Sequence, residues 1–194
     1  MNTDYLVLVN GDHALPENYQ ETVELLTVQN CAGSSYGVEK KTYEAFLRLR
    51  EDLLESYGIQ AELISGHRTI EAQIGSFNNY LRKFGLEYAN KYVAKPGHSE
   101  HHTGLAIDVG ILREGRVYYT IEDLLSVDDL FQLIHKKLPD YGFILRYPAD
   151  KKPVTGIGYE PWHFRYIDSP EIAREIADRG ICFEEYWEIR RNEK

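Results

Sequence analysis

The sequence predicts an α+β fold, and three observations carry that expectation. Apolar residues recur at helical spacing over 39–57 and again over 126–138. Short apolar or alternating runs at 59–64, 105–111 and 143–147 have the length and composition of strands. These strands and helices follow one another without a regular β-α-β alternation, which argues against a doubly wound parallel sheet. With 194 residues, 43% of them apolar and 12% aromatic, the chain can bury one sizeable core. Nothing in its length or punctuation demands two domains, so residues 1–194 are expected to form one.

Taken in order, Leu6 to Val9 reads as a short apolar strand and Asn10-Gly11-Asp12 as a turn. Leu15 to Tyr19 has no period and reads as a loop. Tyr43, Phe46, Leu47, Leu53, Leu54 and Tyr57 mark a helix over 39–57, with Gly58 as its C-terminal cap. Ile59 to Ile64 alternates as a half-buried strand would, and Thr69 is placed to cap the next helix. In that helix Ile70, Ile74, Phe77, Leu81 and Phe84 form one stripe, expected to be core, and Gly85 stops it. Leu86 to Tyr92 continues as a short helix or turn, and Pro96-Gly97 breaks the chain.

Arg113 to Arg116 looks like a hairpin tip, with 117–120 returning. Ser126 is expected to cap a helix that points Leu130, Phe131, Ile134 and Leu138 inward, closed by Pro139 and Gly142. A strand over 143–147 and a polar turn at 150–153 precede the segment 160–166. Ser169-Pro170 opens a helix through Asp178, proline standing at the favoured first position, and a last helix runs from Phe183 to about Arg190.

The composition excludes several partners. A formal net charge of -9 repels phosphate backbones, so no nucleic-acid partner is expected. No run approaches the roughly 18 apolar residues a membrane-spanning helix needs, so no membrane insertion is expected. Met1 to Asn10 has no basic segment and its apolar stretch is short, which argues for the cytoplasm. Cys31 and Cys182 could form one disulfide; without an export signal two free, buried thiols are the expectation.

Chemistry concentrates between Gly97 and Asp108, in the run Gly-His-Ser-Glu-His-His-Thr-Gly-Leu-Ala-Ile-Asp. An aspartate inside an apolar strand is expensive unless a positive partner meets it, and a divalent metal is the simplest one. Histidines stand just ahead of Gly104, whose freedom permits the bend between a loop and the strand. The segment Glu160-Pro161-Trp162-His163 offers one further ligand. Two histidines and one aspartate leave a fourth position open, the coordination of a catalytic rather than a structural zinc. His98 and His102 are alternative donors on the residues alone.

Ser99-x-His101-x-x-Gly104-x-Ala106-x-Asp108 followed by Glu160-x-Trp162-His163 resembles the zinc D,D-carboxypeptidases of the VanY type, which cleave the C-terminal D-alanine of cell-wall precursors. The likeness extends through Ser65-Gly66-His67-Arg68-Thr69, Gln73 and Leu8-Val9-Asn10, covering roughly residues 5 to 168. It implies the hedgehog/D,D-peptidase-like fold, a central antiparallel sheet flanked by helices. It also implies one zinc per chain held by His101, Asp108 and His163, His101 rather than His102 having the family spacing.

In that resemblance Glu160 is the base that takes a proton from the attacking water and returns it to the leaving amine. Pro161 breaks the strand so that Glu160 and His163 can approach one metal. Arg68 binds substrate and steadies the developing oxyanion, a role its planar fork suits. A cation at a helix start is otherwise poorly placed. Gln73 and Ser99 match substrate-binding positions, or else bond locally, and Trp162 lines the site. The sequence departs from the commoner pattern at His67, where tyrosine is usual; this bears on substrate fit, not on metal ligation.

The resulting expectation is a D,D-peptidase acting on D-Ala-D-Ala, or on muramyl pentapeptides that end in it. It resembles the bifunctional VanXY-type enzymes of glycopeptide resistance. An L,D-carboxypeptidase trimming tetrapeptides would use the same zinc, base and arginine, and spacing does not separate the two. A non-catalytic cell-wall peptide-binding module would have no use for Glu160.

Overall fold

The computed structural model describes residues 3–193. Its organising element is a five-stranded antiparallel sheet in which β3 (Gln60–Ser65), β4 (Ala106–Arg113), β7 (His163–Tyr166) and β6 (Phe143–Leu145) lie side by side, with β5 (Arg116–Tyr118) hairpinned onto β4. A separate hairpin, β1 (Leu25–Gln29) and β2 (Ser35–Glu39), touches the segment just beyond β3 through a bridge between Gly37 and His67. The fold class is α+β, as expected, and the sheet is antiparallel throughout.

Strand periodicity divides the sheet into two working faces. Ala61 and Leu63, Ile107, Val109 and Ile111, and Phe164 and Tyr166 share one core cluster. Helix α1 (Lys40–Tyr57) covers that cluster with Phe46, Leu49 and Leu53, and α5 (Asp128–Lys137) does so with Phe131 and Ile134. Each large side chain buried there contributes roughly 1.5–3 kcal/mol. The residues between them, Asp108 on β4 and His163 and Arg165 on β7, point to the opposite face.

α1 begins where the Glu39 carboxylate accepts from the Thr42 amide and ends at Gly58 in the left-handed conformation. The helix α2 (Ile70–Phe84) and the shorter α3 (Leu86–Tyr92) lead to the 3-10 turn Glu100–Thr103 that precedes β4. α4 (Ile121–Ser126) follows β5, and the short α6 (Lys152–Thr155) starts in the expected polar turn. α7 (Pro170–Arg179) and α8 (Phe183–Asn192) close a second cluster around Leu8, Ile144 and Ile167.

Several expectations are corrected. Leu6 to Val9 is not a strand: its interior residues are buried, but the carbonyls of Tyr5 and Val7 accept from the Arg165 guanidinium instead of a ladder partner. Ser126 is the last residue of α4 rather than a cap; its hydroxyl donates to the Asp123 carbonyl, and α5 has no side-chain cap. The α2 stripe is not core. Ile70, Ile74, Leu81 and Phe84 are exposed and Phe77 is only partly covered, while Gln73 is the buried residue of that helix. Both cysteines are free, yet only Cys182 is buried; Cys31 is exposed.

Candidate metal centre and active-site cleft

The antiparallel register builds the site. Ser65 on β3 and His163 on β7 both pair with Asp108 on β4, so three adjacent strands contribute one row of residues. A register shift between Leu63 and Ser65 bends the end of β3 as the chain leaves towards Arg68. His101 comes from the 3-10 turn, which Gly104 ends at φ 73°. A side chain at Gly104 would be strained by that angle and would meet Leu25 Cδ2 at 2.6 Å.

Three donor atoms converge there. Asp108 Oδ2 lies 3.2 Å from His101 Nε2, and Asp108 Oδ1 lies 3.0 Å from His163 Nδ1. One ligand atom from each of the three residues falls within 4.8 Å of the others. A tetrahedral zinc with ligands near 2.1 Å separates them by about 3.4 Å, so the spacing and the two-imidazole, one-carboxylate chemistry both fit that ion. His101 is oriented from behind, its Nδ1–H donating to the Gly66 carbonyl at 2.7 Å. That leaves Nε2 as the free donor. His98 and His102 are engaged elsewhere. His98 Nδ1 bonds the Asn10 carbonyl; His102 Nδ1 bonds the Arg68 carbonyl and its Nε2 accepts from the Gly97 amide.

Electrostatics separate the roles of these groups. Burial pushes His101 down to about 4, so its imidazole is neutral at ordinary pH. Burial opposes charge on Asp108 as well, but His101 and His163 outweigh it and hold the carboxylate well below its usual range. For His163 the carboxylates of Asp108 and Glu100 overcome burial and lift it to about 9 without metal. Glu160 behaves oppositely: burial, helped by the Asp108 charge, pushes its carboxyl up to about 8 against the pull of His163 and Arg68. Its Oε2 stands 3.8 Å from His163 Nδ1, beside the donor set and outside it. The turn that achieves this is closed by the His163 amide donating to the Glu160 carbonyl.

Arg68 stands at the rim, one guanidinium nitrogen 3.9 Å from Asp108 Oδ2. Gln73 and Ser65 accept from its two terminal nitrogens at 2.8 and 3.1 Å, and Gln73 is itself anchored on the Ala94 carbonyl at 2.7 Å. Arg68, Gln73, Ser99, Trp162, Glu160 and the three donors all line one cleft. Its walls include Tyr80 and Tyr147, which the sequence did not single out; the Tyr147 ring centroid is 4.9 Å from that of His163. Glu100, behind His163, was also missed. Its partners Arg146 and Arg165 lie 46 and 65 residues downstream, and no local pattern links them.

A family model for D-alanyl-D-alanine carboxypeptidases, VanY, matches residues 35–169. The bifunctional D-Ala-D-Ala dipeptidase and carboxypeptidase VanXYC of Enterococcus gallinarum is 36% identical over 195 residues, covering 96% of this chain and 94% of that protein. Among solved structures, a variant of the vancomycin-resistance D,D-pentapeptidase VanY from a VanB-type cassette, in complex with Zn(II), superposes with a TM-score of 0.76 at 28% identity, covering 94% of this chain and 98% of that one. The LD-carboxypeptidase LdcB superposes with a TM-score of 0.79 at 31% identity, covering 95% and 86%.

Proposed function

The chain belongs to the VanY family of D-alanyl-D-alanine carboxypeptidases, and from that premise we propose that it is a zinc D,D-peptidase hydrolysing D-Ala-D-Ala and removing the terminal D-alanine of peptidoglycan-precursor pentapeptides. The observation that carries this reading is the convergence of His101, Asp108 and His163 in one cleft with Glu160 and Arg68 placed beside them. Residues 1–194 act as one catalytic domain, since strands from 60–65, 106–113 and 163–166 supply the same row of the site.

His101 Nε2, Asp108 and His163 Nδ1 would hold the metal. When bound, zinc supplies a Lewis acid that polarises the scissile carbonyl and makes the attacking water more acidic. The chain's own residues do the rest. Glu160 takes the proton of the attacking water on its carboxylate and delivers it to the leaving D-alanine amine. The high proton affinity that burial gives it suits both halves of that transfer. Arg68 presents a guanidinium already fixed by Ser65 and Gln73, so its positive charge is in place as the tetrahedral oxyanion forms. Trp162 and Tyr147 line the cleft and help keep bulk water from the reacting atoms. Ser99, buried in the same wall, offers a hydroxyl to the peptide.

No helix among the described residues is long and apolar enough to cross a membrane. We place the enzyme in the cytoplasm, where its substrates are soluble: the free dipeptide and the nucleotide-linked muramyl pentapeptide. Likeness to a bifunctional dipeptidase and carboxypeptidase supports that pairing. A second reading, an L,D-carboxypeptidase trimming tetrapeptides, is favoured by the equally close superposition on LdcB. Alanine release by the zinc-loaded protein from D-Ala-D-Ala, a pentapeptide and a tetrapeptide decides between them. Release from the tetrapeptide alone would replace the first reading with the second, and release from none would leave a peptide-binding module.

A further inference from the structure

The two metal-facing imidazoles are held from behind in different ways. His101 gives its outer N–H to a backbone carbonyl. The outer nitrogen of His163, Nε2, is buried without a hydrogen-bond partner among the described residues, and so is Oε2 of Glu100. These two orphaned atoms face each other at 3.6 Å.

The remainder of Glu100 is fully committed. Its Oε1 accepts from Arg146 Nε at 2.7 Å and from Arg165 Nη1 at 2.9 Å. Arg146 in turn forks onto Glu184 of α8 at 2.8 and 2.6 Å. Arg165 spends its other donors on the carbonyls of Tyr166, Tyr5 and Val7. Both arginines are completely buried, so two cations and two carboxylates have been taken out of water together. Such a cluster fixes the Glu100 carboxylate rigidly and leaves one oxygen unused, aimed at the back of a metal-facing histidine.

We propose that Glu100 is a positioning residue: its Oε2 accepts the Nε2–H of His163, which fixes the tautomer that presents Nδ1 beside Asp108. The inference rests on the reading of His163 as a zinc ligand and adds the group that orients it. A carboxylate behind the imidazole also makes the ligand nitrogen more basic, which strengthens its hold on a cation. Through Arg146 and Glu184 the same carboxylate ties the metal row to the C-terminal helix.

Glu100→Gln tests this sharply. The arginines claim the amide oxygen, so the amide N–H points at His163 Nε2 and drives the ring's proton to Nδ1. Zinc affinity, measured by competition with a chromophoric chelator, is expected to fall about 10- to 100-fold. Glu184→Gln loosens the same cluster at its far end and is expected to lower the melting temperature while zinc affinity stays within about twofold. In the zinc-loaded wild type, imidazole ¹H–¹⁵N spectra should show His163 protonated at Nε2 with slow exchange. Unchanged zinc affinity in Glu100→Gln, or equal losses in both variants, would overturn the proposal. A zinc-loaded wild type with His163 protonated at Nδ1 would do the same, and this readout decides alone should Glu100→Gln not fold. A wild type whose His163 nitrogens do not respond to zinc would overturn the parent reading itself, and shows as such because no variant is involved.

Discussion

Asp108 and His163 stand opposite each other in the β4–β7 pairing, and the Asp108 carboxylate meets His163 Nδ1 at 3.0 Å. The register that packs Ile107 and Val109 into the core therefore also aligns two of the side chains proposed to hold the metal, because a one-residue slip would send both sets to the wrong face. One register thus serves both the core and the proposed metal site. The first prediction follows from it: the protein binds one zinc per chain, and His101→Ala, Asp108→Ala and His163→Ala each lose it. His98→Ala and His102→Ala keep zinc within about threefold, because those rings are already bonded to backbone groups. Metal titration of the five variants checks this, and loss of zinc in either of the last two would show that the donor set is misassigned.

Glu160 stands beside the donors rather than among them. Glu160→Ala is expected to cut turnover by about 10²–10⁴ while zinc stays stoichiometric, since a proton shuttle is removed and no ligand is. Steady-state kinetics with metal analysis of the same sample reads both. A metal-free Glu160→Ala protein would move Glu160 into the donor set.

The same carboxyl gives the metal-free protein a weakness towards high pH. Burial raises Glu160 from its ordinary 4.5 to about 8, so between those values the folded chain keeps a proton that the unfolded chain has released. A raised folded-state value contributes stability that is complete below the unfolded value and lost as pH rises through the folded one. Glu160→Gln removes that titration. Relative to wild type, the metal-free variant should gain stability from about pH 5 to about pH 8, by at most about 1.4 kcal/mol per pH unit. Urea unfolding in the presence of chelator measures the difference, and a flat difference across that window would mean that Glu160 ionises as an exposed glutamate does.

What the sequence made legible was local. Thr69 and Ser169 do cap their helices, and Gly58 ends α1 in the left-handed conformation. The convergence of His101, Asp108 and His163 was legible for a different reason: an aspartate in an apolar strand has few explanations. Periodicity found α2 but misjudged its exposed face, because a regular apolar stripe says nothing about what covers it. That helix is instead turned by Gln73, which reaches Arg68 and the Ala94 carbonyl on the cleft side. The β1–β2 hairpin escaped notice since it buries little, chiefly Val28 and Val38, and so lacks a clean alternation. Glu100 was hidden altogether, being defined only by partners that the fold brings in from the residue after β6 and from β7.

Arg68 offers the last prediction. Two of its guanidinium nitrogens are held by the neutral side chains of Gln73 and Ser65, and the nearest carboxylate, Asp108, is 3.9 Å away. Its charge is thus fixed in direction but not cancelled by a close ion pair, the condition for a group that waits for an anion. The anion could be the substrate's terminal carboxylate or the oxyanion formed at the scissile carbon, and kinetics separate them. Loss of an oxyanion donor lowers kcat and kcat/KM together, by roughly 10²–10³, whereas loss of a ground-state anchor raises KM and spares kcat. Arg68→Ala is expected to show the first pattern. Arg68→Lys keeps the charge but not the fork that Gln73 and Ser65 hold, so it should recover little. A raised KM with normal kcat would reassign Arg68 to anchoring the substrate, and near-normal kinetics in Arg68→Ala would remove it from the active site.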